Sequence, residues 1–155
     1  MTGSDDIHRQ GGAERDHERS EDLPGMPRNF TVSIGGIEIG FSSLSRLGSE
    51  TILDQPPGDP RDLSRLIHRY PNVVLRRALG RDRRLHEWRQ AILDGNADKR
   101  QVAIRQLDAA GGGVTNTWVL EGAWPCRWAG PAFDAGATEV AMEEVELAFD
   151  RLIWR

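Results

Sequence analysis

The stretch Ala123-Trp124-Pro125-Cys126-Arg127-Trp128-Ala129-Gly130-Pro131 decides how this chain is read. Pro125 removes a backbone donor and Pro131 drives Gly130 out of the helical region, so the segment is not a regular helix. Nor is it a loose linker. Two indoles four residues apart carry too much apolar area to leave in water, at roughly 25 cal/mol per Å². The segment reads as a rigid, bent corner packed between two ordered elements, with Trp124 and Trp128 as anchors. Whether that corner serves a chemistry or an assembly is the question the rest of the chain must answer.

Immediately downstream, Thr138 to Trp154 is acidic and apolar, and its period is ambiguous. Met142, Val145, Phe149 and Leu152 fit a helical stripe, while Ala141, Glu143, Val145, Leu147 and Phe149 fit a strand nearly as well. Abundant Glu, Ala, Met and Leu tip intrinsic propensity toward helix. Upstream, Gln101 to Leu107 and Val114 to Leu120 form a hairpin through Asp108-Ala-Ala-Gly-Gly-Gly. That glycine run is turn chemistry, because no Lys-Ser/Thr and no helix follow it as a phosphate cradle requires.

Further upstream, Leu85, Trp88 and Ile92 recur at helical spacing with Ala91 beside them, while Arg83, Arg84, Glu87 and Arg89 face outward. Asp82 is the expected N-cap, and Asp94-Gly95-Asn96 the expected stop. Asn72 to Leu79 reads as a strand. Two period-two runs, Phe30 to Ile34 and Ile37 to Phe41, flank Gly35-Gly36 and predict a β-hairpin. Ser42 to Asp54 continues as strand beyond Leu47-Gly48. Gln55-Pro-Pro-Gly-Asp-Pro60 is a loop by composition and a candidate contact arm. Residues 1–28, with mixed charge, Gly11-Gly12 and Pro24-Gly25, read as a flexible N-terminal arm, leaving 29–155 as the folded domain.

At 155 residues, 38% hydrophobic and 28% charged, the chain holds one domain with a real core. No apolar run approaches the roughly 20 residues of a membrane span, and the N-terminus lacks a signal peptide's apolar stretch. The expected location is cytoplasmic at synthesis, with no membrane insertion. One cysteine, Cys126, excludes an intrachain disulfide and a multi-cysteine metal site. The net charge of −4 hides a basic middle: residues 61–105 carry twelve bases and five acids, residues 106–155 three bases and eight acids. Such zones suit nucleic acid or complementary faces on neighbouring copies. The middle lacks the interleaved aromatics of a single-strand binder, which favours the second.

No constellation demands catalysis. His8 and His17 are isolated in the arm, and His68 and His86 lie among arginines without ligand partners. Arg127 beside Cys126 suits a lowered thiol pKa, but a lone Cys between tryptophans is better read as a small core residue. Ser42, Ser43 and Ser45 lack a nucleophile elbow. Glu139, Glu143, Glu144 and Glu146 read as a solvated or interface face. No catalytic, cofactor or metal residue is assigned.

The order of these elements resembles the tube proteins of contractile tails, over about residues 29–152. The resemblance is carried by Phe30-Thr-Val-Ser-Ile-Gly-Gly, Tyr70-Pro-Asn-Val-Val-Leu-Arg-Arg, Val102-Ala-Ile-Arg-Gln-Leu-Asp, Trp118, the tryptophan-proline corner and Glu139-Val-Ala-Met-Glu143. The family spans contractile phage tail tubes and the inner tubes of bacterial injection systems. It is similar in fold to the haemolysin-coregulated protein of type VI secretion.

The resemblance implies a mainly β, sandwich- or barrel-like subunit with one packed helix. It also implies that Glu139 to Phe149 is largely strand, and that reading is adopted over propensity. It further implies hexameric rings that stack into a tube conducting DNA or effector cargo, with sheath and baseplate or spike proteins as partners in a phage tail or injection-system particle. The alternative is a tail adaptor or chaperone-like nucleic-acid-binding module using the basic middle. Expected assembly residues are Pro56, Pro57, Arg76, Arg77, Trp124, Trp128, Glu139 and Glu143. Two departures, Ala78 where the family usually has glycine and the long arm, leave open a tube-initiating ring near the baseplate or a capping ring.

Overall fold

The computed structural model describes residues 29–54, 66–110, 112–136 and 138–155. The arm 1–28 and the Pro-rich loop 55–60, with Pro56 and Pro57, lie outside the described residues. The elements are β1 (Phe30–Ile34), β2 (Ile37–Ile39), β3 (Ser43–Leu44), β4 (Glu50–Leu53), β5 (Leu66–Arg69), β6 (Val73–Ala78), α1 (Arg84–Leu93), β7 (Arg100–Leu107), β8 (Val114–Ala129), β9 (Met142–Ala148) and β10 (Arg151–Trp154). The fold is mainly β with a single helix among the described residues, as the sequence implied.

Hydrogen bonding runs in the order β2-β1-β7-β8-β9-β6-β3, with β10 also on β8. The sixteen-residue β8 is the spine. Its first half lies between β7 and β10, and its second half pairs with β9. Chain and register show why β9 and β10 are one partner in two pieces. Glu121 faces Arg151 and Trp124 faces Ala148, so Gly122 stands opposite Asp150 in unbroken register. There β8 turns from one sheet into the next: Gly122 has φ +63°, and the Asp150 carboxylate lies over its α-carbon. A Cβ at Gly122 would sit 2.8 Å from Asp150 Cγ. Asp150 also donates its N–H to the Glu121 carbonyl at 2.8 Å, and Lys99 Nζ reaches its carboxylate at 3.2 Å.

Because of this bend the two sheets face each other. Val32, Ile34, Val102, Ile104 and Leu120 from one meet Val73, Leu75, Val145 and Leu147 from the other, all buried. Strand periodicity delivers these residues: β9 alternates buried Glu143, Val145 and Leu147 with half-buried neighbours. α1 closes one side with Leu85 and Trp88, and Trp88 Nε1 donates to the Asp98 carbonyl at 2.7 Å. Its end is a Schellman motif, with Gly95 at φ +89° and Asn96 N–H bonded to the Ala91 carbonyl at 2.9 Å. At its start the expectation shifts by one residue. Arg83 holds the cap position, and Asp82, just before it, accepts the Arg84 N–H at 3.0 Å.

Two other expectations change. The corner from Trp124 to Ala129 is not a joint between elements but the second half of β8, bulged between Pro125 and Arg127. Pro125 is tolerated because its polar edge points away from β9. Its carbonyl accepts from Arg89 Nη1 at 3.2 Å, so the missing donor falls on the helix side rather than in the ladder. The terminal run is strand despite its propensity, but only from Met142; Glu139 to Ala141 belong to the connection from β8. Burial explains the outcome, since Val145, Leu147 and Phe149 fill the core only when the run is extended.

Gly122→Ala is expected to destabilise the fold by at least about 1–3 kcal/mol, the cost of a side chain held at positive φ. Urea denaturation measures it, and Gly122→Ala with Asp150→Ala should recover the steric part but not the backbone part.

Candidate functional site

The sheet of β8, β9, β6 and β3 brings four of the expected assembly residues, Arg76, Arg77, Trp128 and Glu143, together and sorts them onto opposite faces. Arg76 and Arg77 are adjacent on a strand, so they point opposite ways. Arg77 turns inward and is buried. Its Nε bonds Glu143 Oε2 at 2.7 Å, its Nη1 bonds Asp82 Oδ2 at 3.1 Å and its Nη2 bonds the Asp82 carbonyl at 3.1 Å. Glu143, 1% exposed, accepts from Trp128 Nε1 at 2.8 Å through its other oxygen. Phe41 lies 5.9 Å from the guanidinium, and His86 meets the Trp128 ring edge-on at 4.7 Å. The cross-strand register sets this up directly, with Arg77 facing Glu143 and Trp128 facing Val145.

Outward, the same strands carry a charge ladder. Glu144 pairs with Arg127 on one side and with Arg76 Nε at 3.2 Å on the other. Glu146 takes Arg127 Nε at 3.7 Å and Asn72 Nδ2 at 3.2 Å. Two arginines therefore meet two glutamates on one face, which is nearly self-neutral. Sequence reasoning saw the glutamate run but not its partners. The signal was the shared period of two, which puts Glu144 and Glu146 on the face opposite Glu143.

The remaining expected residues sit apart from this network. Trp124 is half-buried on β8 opposite Ala148. Glu139 is exposed in the β8–β9 connection. Arg81 and Arg83, in the basic middle, are exposed, whereas Arg84 is held by Asp82 at 2.7 Å. Asp82, with hydrogen bonds from Arg84 and then Arg77, has its carboxyl held well below the usual carboxylate range. Asp98 is lowered in the same way by Arg100.

The thiol pKa of Cys126 is not lowered by Arg127, in keeping with its reading as a small packed residue rather than a nucleophile. Burial, followed by the charge of Glu146, pushes its pKa up, while Arg127 turns to Glu144 instead. Its polar neighbours are the Glu146 carboxylate at 3.6 Å and Asn72 Nδ2 at 3.5 Å, neither of which activates a nucleophile. Of the histidines, His68 Nδ1 bonds Thr51 Oγ1 at 2.9 Å.

β4 and β5 form a separate hairpin that pairs only with itself, with no buried residue. Leu53 opposite Leu66 and Ile52 opposite Ile67 put apolar pairs on both faces, and the pairs Thr51–His68 and Glu50–Arg69 lie at the end leading into the fold. The outer edge of β10 and those of β2 and β3 are also unpaired among the described residues.

Glu143→Gln should destabilise the subunit by about 3 kcal/mol, the low end for breaking a buried pair, because Asp82 still holds Arg77. Trp128→Phe should cost about 1.5–3 kcal/mol for a lost hydrogen bond to a charged acceptor. A double-mutant cycle read by urea denaturation should show that the two costs are not additive. Asp82 contributes stability above the ordinary carboxylate pKa near 4, lost as pH falls through its lowered folded value. Thermal midpoints between pH 5 and pH 2 should therefore fall less steeply in Asp82→Asn than in the wild type.

No curated protein matches the sequence significantly. Among solved structures, a chain of the PVC sheath-tube complex of an extracellular contractile injection system in its extended state aligns at 25% identity. It covers 87% of this chain and 93% of that one, with a TM-score of 0.64. The PVC sheath/tube terminator aligns at 26% identity, covering 88% and 99%, with a TM-score of 0.64. Hcp1 from Flavobacterium johnsoniae, at 9% identity, 82% and 94% coverage and TM-score 0.57, shares the fold alone. Residues 27–153 match the family described as T4-like virus tail tube protein gp19, and with nearly the whole described fold inside that match the chain belongs to this tail tube family.

Proposed function

We propose that this chain is a structural subunit of the inner tube of a contractile phage tail or injection system. Six copies close a ring, rings stack, and the passage conducts DNA or effector cargo without catalysis. The family match over residues 27–153 carries this reading. Residues 29–155 are the tube domain, and the arm 1–28 reaches a neighbouring ring, sheath or baseplate component. The ring is either the repeating tube or the one that starts it near the baseplate.

Physical features of the subunit support the assignment. Ring closure needs two different patches on each copy that fit each other. The edges of β2, β3 and β10 offer backbone groups for a neighbouring strand. No residue of β4 or β5 is fully buried in its own subunit, and an isolated two-stranded hairpin is marginal in water, so a neighbour that covers Leu53 and Ile67 stabilises it. Pro56 and Pro57, in the connection between its strands, belong to the same contact. Arg77, Trp128 and Glu143 act indirectly, by fixing the β6–β9–β8 sheet, with Trp124 seating its last strand, while Glu139 remains available at the surface and Arg76 is exposed but paired with Glu144.

The self-paired outer ladder suits a wall that cargo slides past. Arg76, Arg127, Glu144 and Glu146 satisfy one another, leaving little net field to hold a polyanion. The same pairing weakens the nucleic-acid alternative, since Arg76, Arg77 and Arg84 already have carboxylate partners.

Electron microscopy of the purified protein, alone and with its sheath and baseplate partners, should show six-fold rings or stacked tubes. A strictly monomeric species that enters no particle under either condition would sink this reading.

A further inference from the structure

Among the exposed apolar features of this subunit, two have complementary shapes. The first is Phe133, 92% exposed in the β8–β9 connection, with Val140 70% exposed in the same segment. A phenyl ring left almost wholly in water forfeits the burial that such side chains normally gain. The second is a groove of about 170 Å³ between α1 and the β1–β2 hairpin. Ile34, Ile39, Leu85 and Trp88 floor it, Ala91 flanks it, and Ile37, 52% exposed, stands at its mouth. An apolar cavity of about 150 Å³ accommodates benzene, so the groove is the size of one aromatic ring.

Phe133 does not line the groove of its own copy, and the two features flank α1 on different sides. His86 and Arg89 on one side of the helix face Trp128 and Pro125 of β8, the strand that leads to Phe133. Arg84, Glu87 and Ala91 on the other side line the groove. Charge complements shape. Between Gly130 and Ala141 the chain has two acids, Asp134 and Glu139, and no base, whereas α1 and its approach from Arg81 to Ala91 carry four arginines against Asp82 and Glu87. Within the groove wall Arg84 and Arg100 are already paired, with Asp82 at 2.7 Å and Asp98 at 2.8 Å, so the complementary charge lies beside the groove, at exposed Arg81 and Arg83.

We infer that Phe133 of one copy seats in the α1/β1–β2 groove of the next, with Asp134 and Glu139 set against the arginines at the start of that helix. The contact is heterologous, knob on one flank and socket on the other, as a closed ring or a stack requires. It rests on the reading of the chain as a self-assembling tube subunit and names a joint within that assembly. Aromatic anchors in fitted pockets are also where interface energy concentrates.

The test uses the full-length chain. Phe133→Ala should raise the protein concentration needed for rings or tubes at least tenfold, while leaving the urea midpoint of the free subunit unchanged, because the ring touches little in its own copy. Phe133→Leu should restore most of the assembly. In a Phe133→Cys, Ile37→Cys variant, mild oxidation of assembled particles should give a ladder of cross-linked oligomers that neither single variant gives. If wild-type particles form but Phe133→Ala assembles at the same concentration, or the cysteine pair stays uncross-linked in them, the knob and groove are not partners and the tube reading stands. If the wild type never assembles, both readings fall together.

Discussion

The turn of β8 at Gly122 is the constraint from which the rest of the subunit follows. One strand hydrogen-bonds within two sheets, so the sheets must meet at an angle, and they do so where a residue without a Cβ lies beneath the Asp150 carboxylate. The partner strand is interrupted at the same level, leaving β9 and β10 on the same flank of β8. With the bend in place, the buried faces of both sheets close on each other, and α1 has one open side left to cover. An ordinary side chain at Gly122 would meet both the positive φ and the carboxylate. No other residue type combines the backbone freedom and the space.

At the end of β9 away from that bend, the subunit holds a buried ion pair. Taking Arg77 and Glu143 out of water is costly, and their mutual attraction offsets the cost only because every strong hydrogen-bonding position is filled. Trp128, Asp82 and the Asp82 backbone supply those partners, and no buried side-chain polar atom among the described residues is left unsatisfied. The network ties β6, β9, the end of β8 and the approach to α1 together. An apolar replacement would pack there too, but it would not fix the register among three strands and a helix as directional bonds do.

Strand edges are treated unequally, and this matters for a protein whose family builds tubes. Near Pro125 the outer side of β8 has no donor and its carbonyl is capped by Arg89, so that edge is closed to a further strand. Among the described residues, the short strands β2 and β3, the outer side of β10 and the β4–β5 hairpin are left open. A monomeric protein would usually blunt such edges. On the proposed assembly they, together with exposed Phe133 and Ile37, are the surfaces a neighbour would cover.

Much of this was legible in the chain itself. Gly35-Gly36 between alternating runs determines the first hairpin, and both glycines adopt positive φ. The Leu85–Trp88 spacing and Asp94-Gly95-Asn96 determine the helix and its stop. Adjacent Arg76 and Arg77 on a strand require that one point inward, though not which carboxylate receives it. Local pattern could not decide the terminal run, because its composition suits a helix and only the demand of the core for Val145, Leu147 and Phe149 makes it a strand. Nor could it show that the tryptophan-proline segment is half of a longer strand, or that Gly122 faces Asp150. Those facts depend on which distant residues become neighbours, and that pairing is set by closing the two sheets, not by any stretch read alone.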